Sequence, residues 1–170
     1  SKYDFLAATA EAVKAAVYAH CIFHDDTGRP YFAWSVDLTG QHNVYDEPPG
    51  SLQLLPYYGF CESDDPVWRN TVSMIRSSAY AYSFAGQPIA EIGCAHAPYP
   101  WLLSLCNSLL CGYGEKAFRE LEIMEMDNGI ACESVHPITG TCMTGAAFAT
   151  CAGFLCHSMK VAQEEGNYAK

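Results

Sequence analysis

Three stretches of the chain gather groups able to do acid–base and sugar chemistry. Residues 37–47 carry Asp37, His42, Asp46 and Glu47. Residues 86–100 carry Glu91, His96 and Tyr99, and residues 127–144 carry Asp127, Asn128, Glu133 and His136. Trp34, Tyr57, Tyr58 and Trp101 lie close to these stretches in sequence. Hydrolysis of a glycosidic bond uses two carboxyl groups, one donating a proton and the other activating water or attacking. Aromatic faces stack on the apolar faces of sugars, and carboxylates bind sugar hydroxyls. The alternative reading of the same groups is a set of solvated acidic loops, the ordinary fate of surface carboxylates.

Glu133 stands apart from the others. It sits in Gly129-Ile130-Ala131-Cys132-Glu133-Ser134-Val135-His136, small and apolar surroundings for a carboxylate. Burial there would favour the protonated form and bring the group towards the general-base range. The plainer role is a carboxylate bonded to loop amides that holds the loop in shape.

Two other constellations carry less. His20 and His24 lie one helical turn apart and precede Asp25 and Asp26. A metal could use such a pair, but no distinctive spacing completes the ligand set, and we expect no metal and no other cofactor. The thiols from Cys142 to Cys156 have no base in any nucleophile motif. Helix packing explains them better, with Gly145, Ala146, Ala147, Ala149, Ala152 and Gly153 allowing close approach.

The elements that must position these groups read as helices joined by long loops. Residues 3–22 have a helical pattern, with Phe5, Ala8, Ala12, Ala15, Ala16 and Ala19 at spacings of three and four. Residues 25–30 are a turn, and 31–36 fit a short extended segment. Residues 40–50 form a loop broken by Pro48, Pro49 and Gly50. Ser51 caps a short helix that Pro56 ends. Asp64 and Asp65 before Pro66 open a helix over 66–78. Residues 86–100 are irregular, 101–110 and 115–126 form a helix pair, 127–144 is a second long loop, and Thr144 caps a last helix over 145–163. Loops this long inside a compact domain are usually functional. The pattern predicts an all-α fold, a bundle or toroid of helical hairpins with its site on the loop face.

Composition narrows the partners. The chain has 170 residues, fits one domain (1–170) and is half apolar with 16% charged residues, so it can bury a core. A net charge of −10 with nine scattered basic residues argues against nucleic acid and anionic membranes. No apolar run approaches the ~20 residues of a membrane span. The nine cysteines contain no Cys-x-x-Cys pair. We expect Cys106, Cys111, Cys151 and Cys156 to be buried free thiols, which favours a reducing, cytoplasmic setting. The first residue is Ser1 rather than Met, and a fragment or a processed chain is expected.

The order of short motifs resembles the C-terminal part of glycoside hydrolase family 125, the metal-independent exo-α-1,6-mannosidases. Tyr31-Phe32-Ala33-Trp34-Ser35-Val36-Asp37 is similar to that family's A-Y-E-V-D-G segment. Asp46 followed by Gly50-Ser51-Leu52-Gln53-Leu54-Leu55-Pro56-Tyr57-Tyr58-Gly59-Phe60 resembles its D-D-A-N-V-P-S-L-L-S-L-P-Y-L-G-F, the most specific of the matches. Asp65-Pro66 with Asn70-Thr71, Ile92-Gly93 with His96, Gly129 with Glu133-Ser134, and Thr144 with Phe148-Ala149 follow in the family order over about residues 30–155.

The resemblance implies that the helical hairpins form part of an (α/α)6 toroid, of which this is the C-terminal portion. It implies inverting hydrolysis of terminal α-mannose without a metal. It places Glu133 as general base, with His96, Asp37 and Asp46 lining the sugar site. Glu47, Trp34, Tyr58 and Trp101 complete the expected substrate-binding set. The departures are specific. The family's general acid lies upstream of the segment resembling 31–37, and no residue here takes that role. Cys132 stands where the family has His, Gly145 where it has Arg, and Ala152 where it has Asn. Losing such hydrogen-bonding groups alters substrate preference. The alternative is a non-catalytic carbohydrate-binding or assembly domain, and a helical interaction domain is a third reading. Part of a toroid would leave apolar helix faces uncovered, so self-association or a complementary chain is expected besides a glycan.

Overall fold

The computed structural model describes residues 2–37, 39–164 and 166. Among the described residues, five helices and three two-stranded antiparallel sheets follow one another. Helix α1 spans Lys2–His20, and strands β1 (Ile22–His24) and β2 (Pro30–Phe32) pair into the first hairpin. Strands β3 (Ser35–Val36) and β4 (His42–Asn43) form the second. A 3-10 turn at Leu52–Leu54 leads to α2 (Pro66–Ile75), α3 (Leu102–Leu110) and α4 (Gly114–Ile123). Strands β5 (Ser134–Val135) and β6 (Cys142–Thr144) make the third hairpin, and α5 (Ala149–Glu164) follows. The all-α expectation, helical hairpins of an (α/α)6 toroid, is therefore corrected: the fold is mixed. Strands of two or three residues are too short to display an alternating pattern: β2 and β3 fall largely in the extended segment expected over 31–36, whereas β4, β5 and β6 lie in stretches that read as loop.

Local chemistry accounts for the helix boundaries. Asp65 caps α2, accepting from the amides of Val67 and Trp68 at 2.7 and 3.2 Å, and Pro66 supplies the first helical residue. Helix α1 stops at His20, not residue 22, because Ile22 joins the β1–β2 ladder opposite Phe32. The helix expected over 145–163 begins only at Ala149. Gly145 and Ala147 take φ of +59° and +53°, outside helical space. That turn is held by Glu133 N–H to Gly145 O (3.0 Å) and Phe148 N–H to Ala131 O (2.7 Å).

Helix α3 is the centre of the molecule: all nine of its residues are buried. It packs against α4 and α5, and Leu102, Leu105 and Leu109 meet Ala117, Cys151 and Ala162 in the main core. Burial of such leucines stabilises by roughly 1.5–3 kcal/mol each. A smaller cluster of Phe32, Trp68 and Val72 seals α2 to β2. Helix α1 contributes no buried residue, and Tyr3, Phe5, Leu6 and Val13 are exposed along it. All nine cysteines are free thiols. Cys106 and Cys151 are buried as expected, whereas Cys111 is half-buried and Cys156 exposed. No described helix is long and apolar enough to cross a membrane.

Candidate active site

The third hairpin presents Glu133 at its start. Its N–H bonds to the carbonyls of Thr144 (3.2 Å) and Gly145 (3.0 Å), and its C=O accepts from Leu102 N–H at 3.0 Å. The latter satisfies one of the free amides at the start of α3, where Trp101 gives no side-chain cap. The backbone on either side of the carboxylate is thus fixed. Thr144 Oγ1 donates to Glu133 Oε2 at 2.7 Å, and the Ser134 hydroxyl lies 2.6 Å from Thr144 Oγ1. Glu133 is half-buried rather than enclosed, so the expected burial in an apolar setting is not what the chain builds. A Cβ added to Gly145 would lie 2.5 Å from Glu133 Cβ and 3.4 Å from Oε2. Glycine at 145 therefore opens the space the carboxylate occupies.

A second group forms around His96. Gly93 lets residues 93–99 fold back tightly, since a Cβ there would sit 2.6 Å from Tyr99 O and 2.9 Å from Tyr99 N. His96 Nδ1 lies 3.2 Å from Glu47 Oε1 and 3.3 Å from Cys94 Sγ. The other oxygen of Glu47 accepts from Tyr45 OH at 2.5 Å, and Tyr45 OH accepts from Ala95 N–H at 3.2 Å. Burial, with the Glu47 hydrogen bond added, pushes the Tyr45 phenol up to about 12. Trp34 packs edge-on against Tyr45, centroids 5.6 Å apart, and keeps part of its ring exposed.

Trp101 connects the two groups. Its ring meets His96 edge-on at 5.1 Å, its indole N–H bonds Ala97 O at 3.0 Å, and its backbone bridges to Ser134. At 2% exposure it has no free face for a sugar to stack on; it supports the wall from behind.

The other expected residues fall elsewhere. Asp46 has no exposed surface and accepts from Ser51 OH (2.5 Å), Leu52 N–H (2.8 Å) and the Gln53 amide (3.2 Å). Burial pushes its carboxyl up to about 6 despite those bonds. In this position it organises the loop before the 3-10 turn, a buried role the acidic loop did not suggest. Asp37 binds Thr39 and Gln41 within the β3–β4 hairpin, which holds its carboxyl below the usual carboxylate range. Tyr58 is exposed beside Tyr57, whose hydroxyl lies 2.6 Å from His157 Nε2 on α5.

Glu91 is fully buried and bonded by Ser104 OH and Ser108 OH, each at 2.5 Å, with Lys116 Nζ at 2.8 Å and Arg76 Nη2 at 3.5 Å. Burial opposes its charge, but the Arg76 and Lys116 cations outweigh that and hold the carboxyl low. This network ties α2, α3 and α4 to the loop that carries His96. Tyr45, Cys94, Thr144 and Gly145 are the site residues that sequence reasoning did not assign. The Thr144 and Gly145 contacts with Glu133 depend on the hairpin register. Tyr45 lies two residues before Glu47, where its spacing was a usable signal.

The profile of the metal-independent α-mannosidase family, GH125, matches residues 3–159. A curated protein of Schizosaccharomyces pombe, "Meiotically up-regulated gene 157 protein", is 43% identical over 75 residues, 43% of this chain and 14% of that protein. A solved α-mannosidase of Streptococcus pneumoniae is described as metal-independent and as a non-productive complex with α-1,6-mannobiose. It superposes with a TM-score of 0.74 at 23% identity, over 87% of this chain and 36% of its own. That likeness is one of fold. The matched segments are well under half of either relative's length.

Proposed function

The chain belongs to the metal-independent α-mannosidase family GH125, and from that premise we propose that it carries the general-base side of an inverting exo-α-mannosidase site. Glu133 is the base in this reading, activating the water that attacks the anomeric carbon. Glu47 and His96 bind hydroxyls of the terminal sugar, and the partly open ring of Trp34 offers it an apolar face. Trp101 and Asp46 act from behind, by holding those groups. The acid is a second carboxyl about 6.5–9.5 Å from Glu133 across the sugar ring, leaving room for the water.

One observation carries the reading. Glu133 is half-exposed, yet its backbone and its Oε2 are fixed by four hydrogen bonds. A base must be both accessible and oriented, whereas a purely structural carboxylate gains nothing from exposure. The mannobiose named for the Streptococcus pneumoniae enzyme supports a neutral α-mannoside as substrate. The exposed apolar residues of α1 support association with a second surface.

Proton NMR of the protein with α-1,6-mannobiose tests the mechanism. The β anomer of mannose appears first if water attacks from the Glu133 side. The α anomer first contradicts it; because no residue of this chain takes the acid's role, the measurement is made on the full-length protein.

A further inference from the structure

We propose that Glu47, Cys94 and His96 form a Zn2+ site, and that its occupancy competes with sugar binding. Among the described residues they are the one group of three potential ligands whose donor atoms all lie within 4.8 Å of one another. Ligands bound to zinc at about 2.0–2.3 Å and tetrahedral angles sit about 3.3–3.6 Å apart. His96 Nδ1 is 3.2 Å from Glu47 Oε1 and 3.3 Å from Cys94 Sγ, close to that spacing, and because Cys94 Sγ also lies 3.9 Å from His96 Nε2 the exposed imidazole must turn to aim Nδ1 at an ion held between the three groups. A thiolate, an imidazole and one carboxylate oxygen suit a borderline-soft divalent ion rather than magnesium or calcium.

The surroundings are organised as metal ligands usually are. Tyr45 OH occupies Glu47 Oε2 and leaves Oε1 towards His96. Cys94 is buried and its N–H bonds Ala97 O at 3.2 Å, which fixes the backbone that carries the sulfur. His96 is exposed, so an ion enters from solvent and keeps a fourth position for water. Binding forms Zn–S, Zn–N and Zn–O bonds, and the Cys94 thiol proton passes to the buffer.

The competition rests on the function proposed above, because it removes Glu47 and His96 from the sugar. The metal site itself does not. Such an ion would be an inhibitor, consistent with a family whose chemistry uses no metal.

Co2+ titration of the full chain tests the site without reference to activity. A near-ultraviolet thiolate-to-cobalt absorption band is expected. It should vanish in Cys94→Ser and in His96→Ala, where a surface side chain is removed, and persist in Cys156→Ser, which removes the exposed thiol. No band, or a band that survives Cys94→Ser and His96→Ala, overturns the site. In calorimetry, Zn2+ should raise the apparent Kd for α-1,6-mannobiose at least tenfold in the wild type and not in Cys94→Ser, which leaves Glu47 and His96 in place. Mannobiose binding indifferent to Zn2+ in a chain that shows the cobalt band overturns the competition alone. A chain that shows the band but binds no mannobiose contradicts the function proposed above and leaves the metal site standing.

Discussion

Thr144 Oγ1 donates to Glu133 Oε2 at 2.7 Å, and the Ser134 hydroxyl stands 2.6 Å from the same Thr144 oxygen. With Thr144 donating to the carboxylate, Ser134 donates to Thr144, and a two-step relay aims one oxygen of Glu133. The β5–β6 register places Ser134 opposite Thr144, so the hairpin itself builds the relay. Thr144→Val keeps the shape and removes both bonds. It should cost about 1 kcal/mol of stability and lower kcat on the order of tenfold by freeing the carboxylate. Thr144→Ser should restore both. Equal kcat in the valine and serine variants contradicts an orienting role.

Gly145 offers a second handle on the same carboxylate. Alanine there meets a left-handed φ of +59° and a Cβ only 2.5 Å from Glu133 Cβ. Gly112 has a φ of +84° and open space around it, so it isolates the backbone effect. Gly112→Ala should cost about 1–2 kcal/mol, and Gly145→Ala a further 1–3 kcal/mol from crowding. Denaturant unfolding of the two variants decides it. Equal losses would mean that Gly145 does not shape the Glu133 site.

The buried carboxyls give the chain an unusual pH dependence. Burial, and then the Glu91 charge, push the Glu120 carboxyl well above its ordinary value, while Lys116 pulls the other way. Glu120 Oε2 is buried without a partner, which suits a protonated group. A pKa raised by folding means that the native state holds the proton more tightly. The associated stability is present below about pH 4.5 and is lost as pH rises through about 7. Glu120→Gln keeps an acceptor for Ala90 N–H and cannot ionise. Its unfolding free energy should exceed the wild type's at pH 8 by on the order of 1 kcal/mol, and the gap should close near pH 4. A gap independent of pH contradicts the assignment.

Helix α1 exposes Tyr3, Phe5, Leu6 and Val13 and buries none of its residues. Sizing chromatography with light scattering should show a species larger than the 18.6 kDa chain. Replacing Phe5 and Leu6 by serine should shift it to a monomer. A wild-type monomer at high protein concentration contradicts this.

Much of the helical frame was legible in the chain, because capping and apolar periodicity are local. Asp65-Pro66 announced α2, and the run from Trp101 announced α3. An extended stretch at 31–36 was legible, but the third hairpin was not: Ser134 and Val135 pair with Thr144 and Cys142 through strands too short to carry a period. Ala147 prefers a helix in isolation, and only the bonds to Ala131 and Glu133 force the turn. For the site, Glu133 stood apart by its setting, whereas His96 entered the expected sugar site through the family resemblance. The burial of Asp46 and Trp101 depends on tertiary packing that acidic and aromatic loop residues do not advertise. Cys94 meets Glu47 across nearly fifty residues of chain, beyond any spacing rule.

The account turns on Glu133 as the group that activates water. Steady-state kinetics of Glu133→Gln with α-1,6-mannobiose, paired with calorimetric binding of the same sugar, addresses this directly. Loss of a general base should lower kcat by roughly 10²–10⁴, with Kd changed by no more than a few-fold. A glutamine variant that retains kcat within tenfold of the wild type contradicts the account.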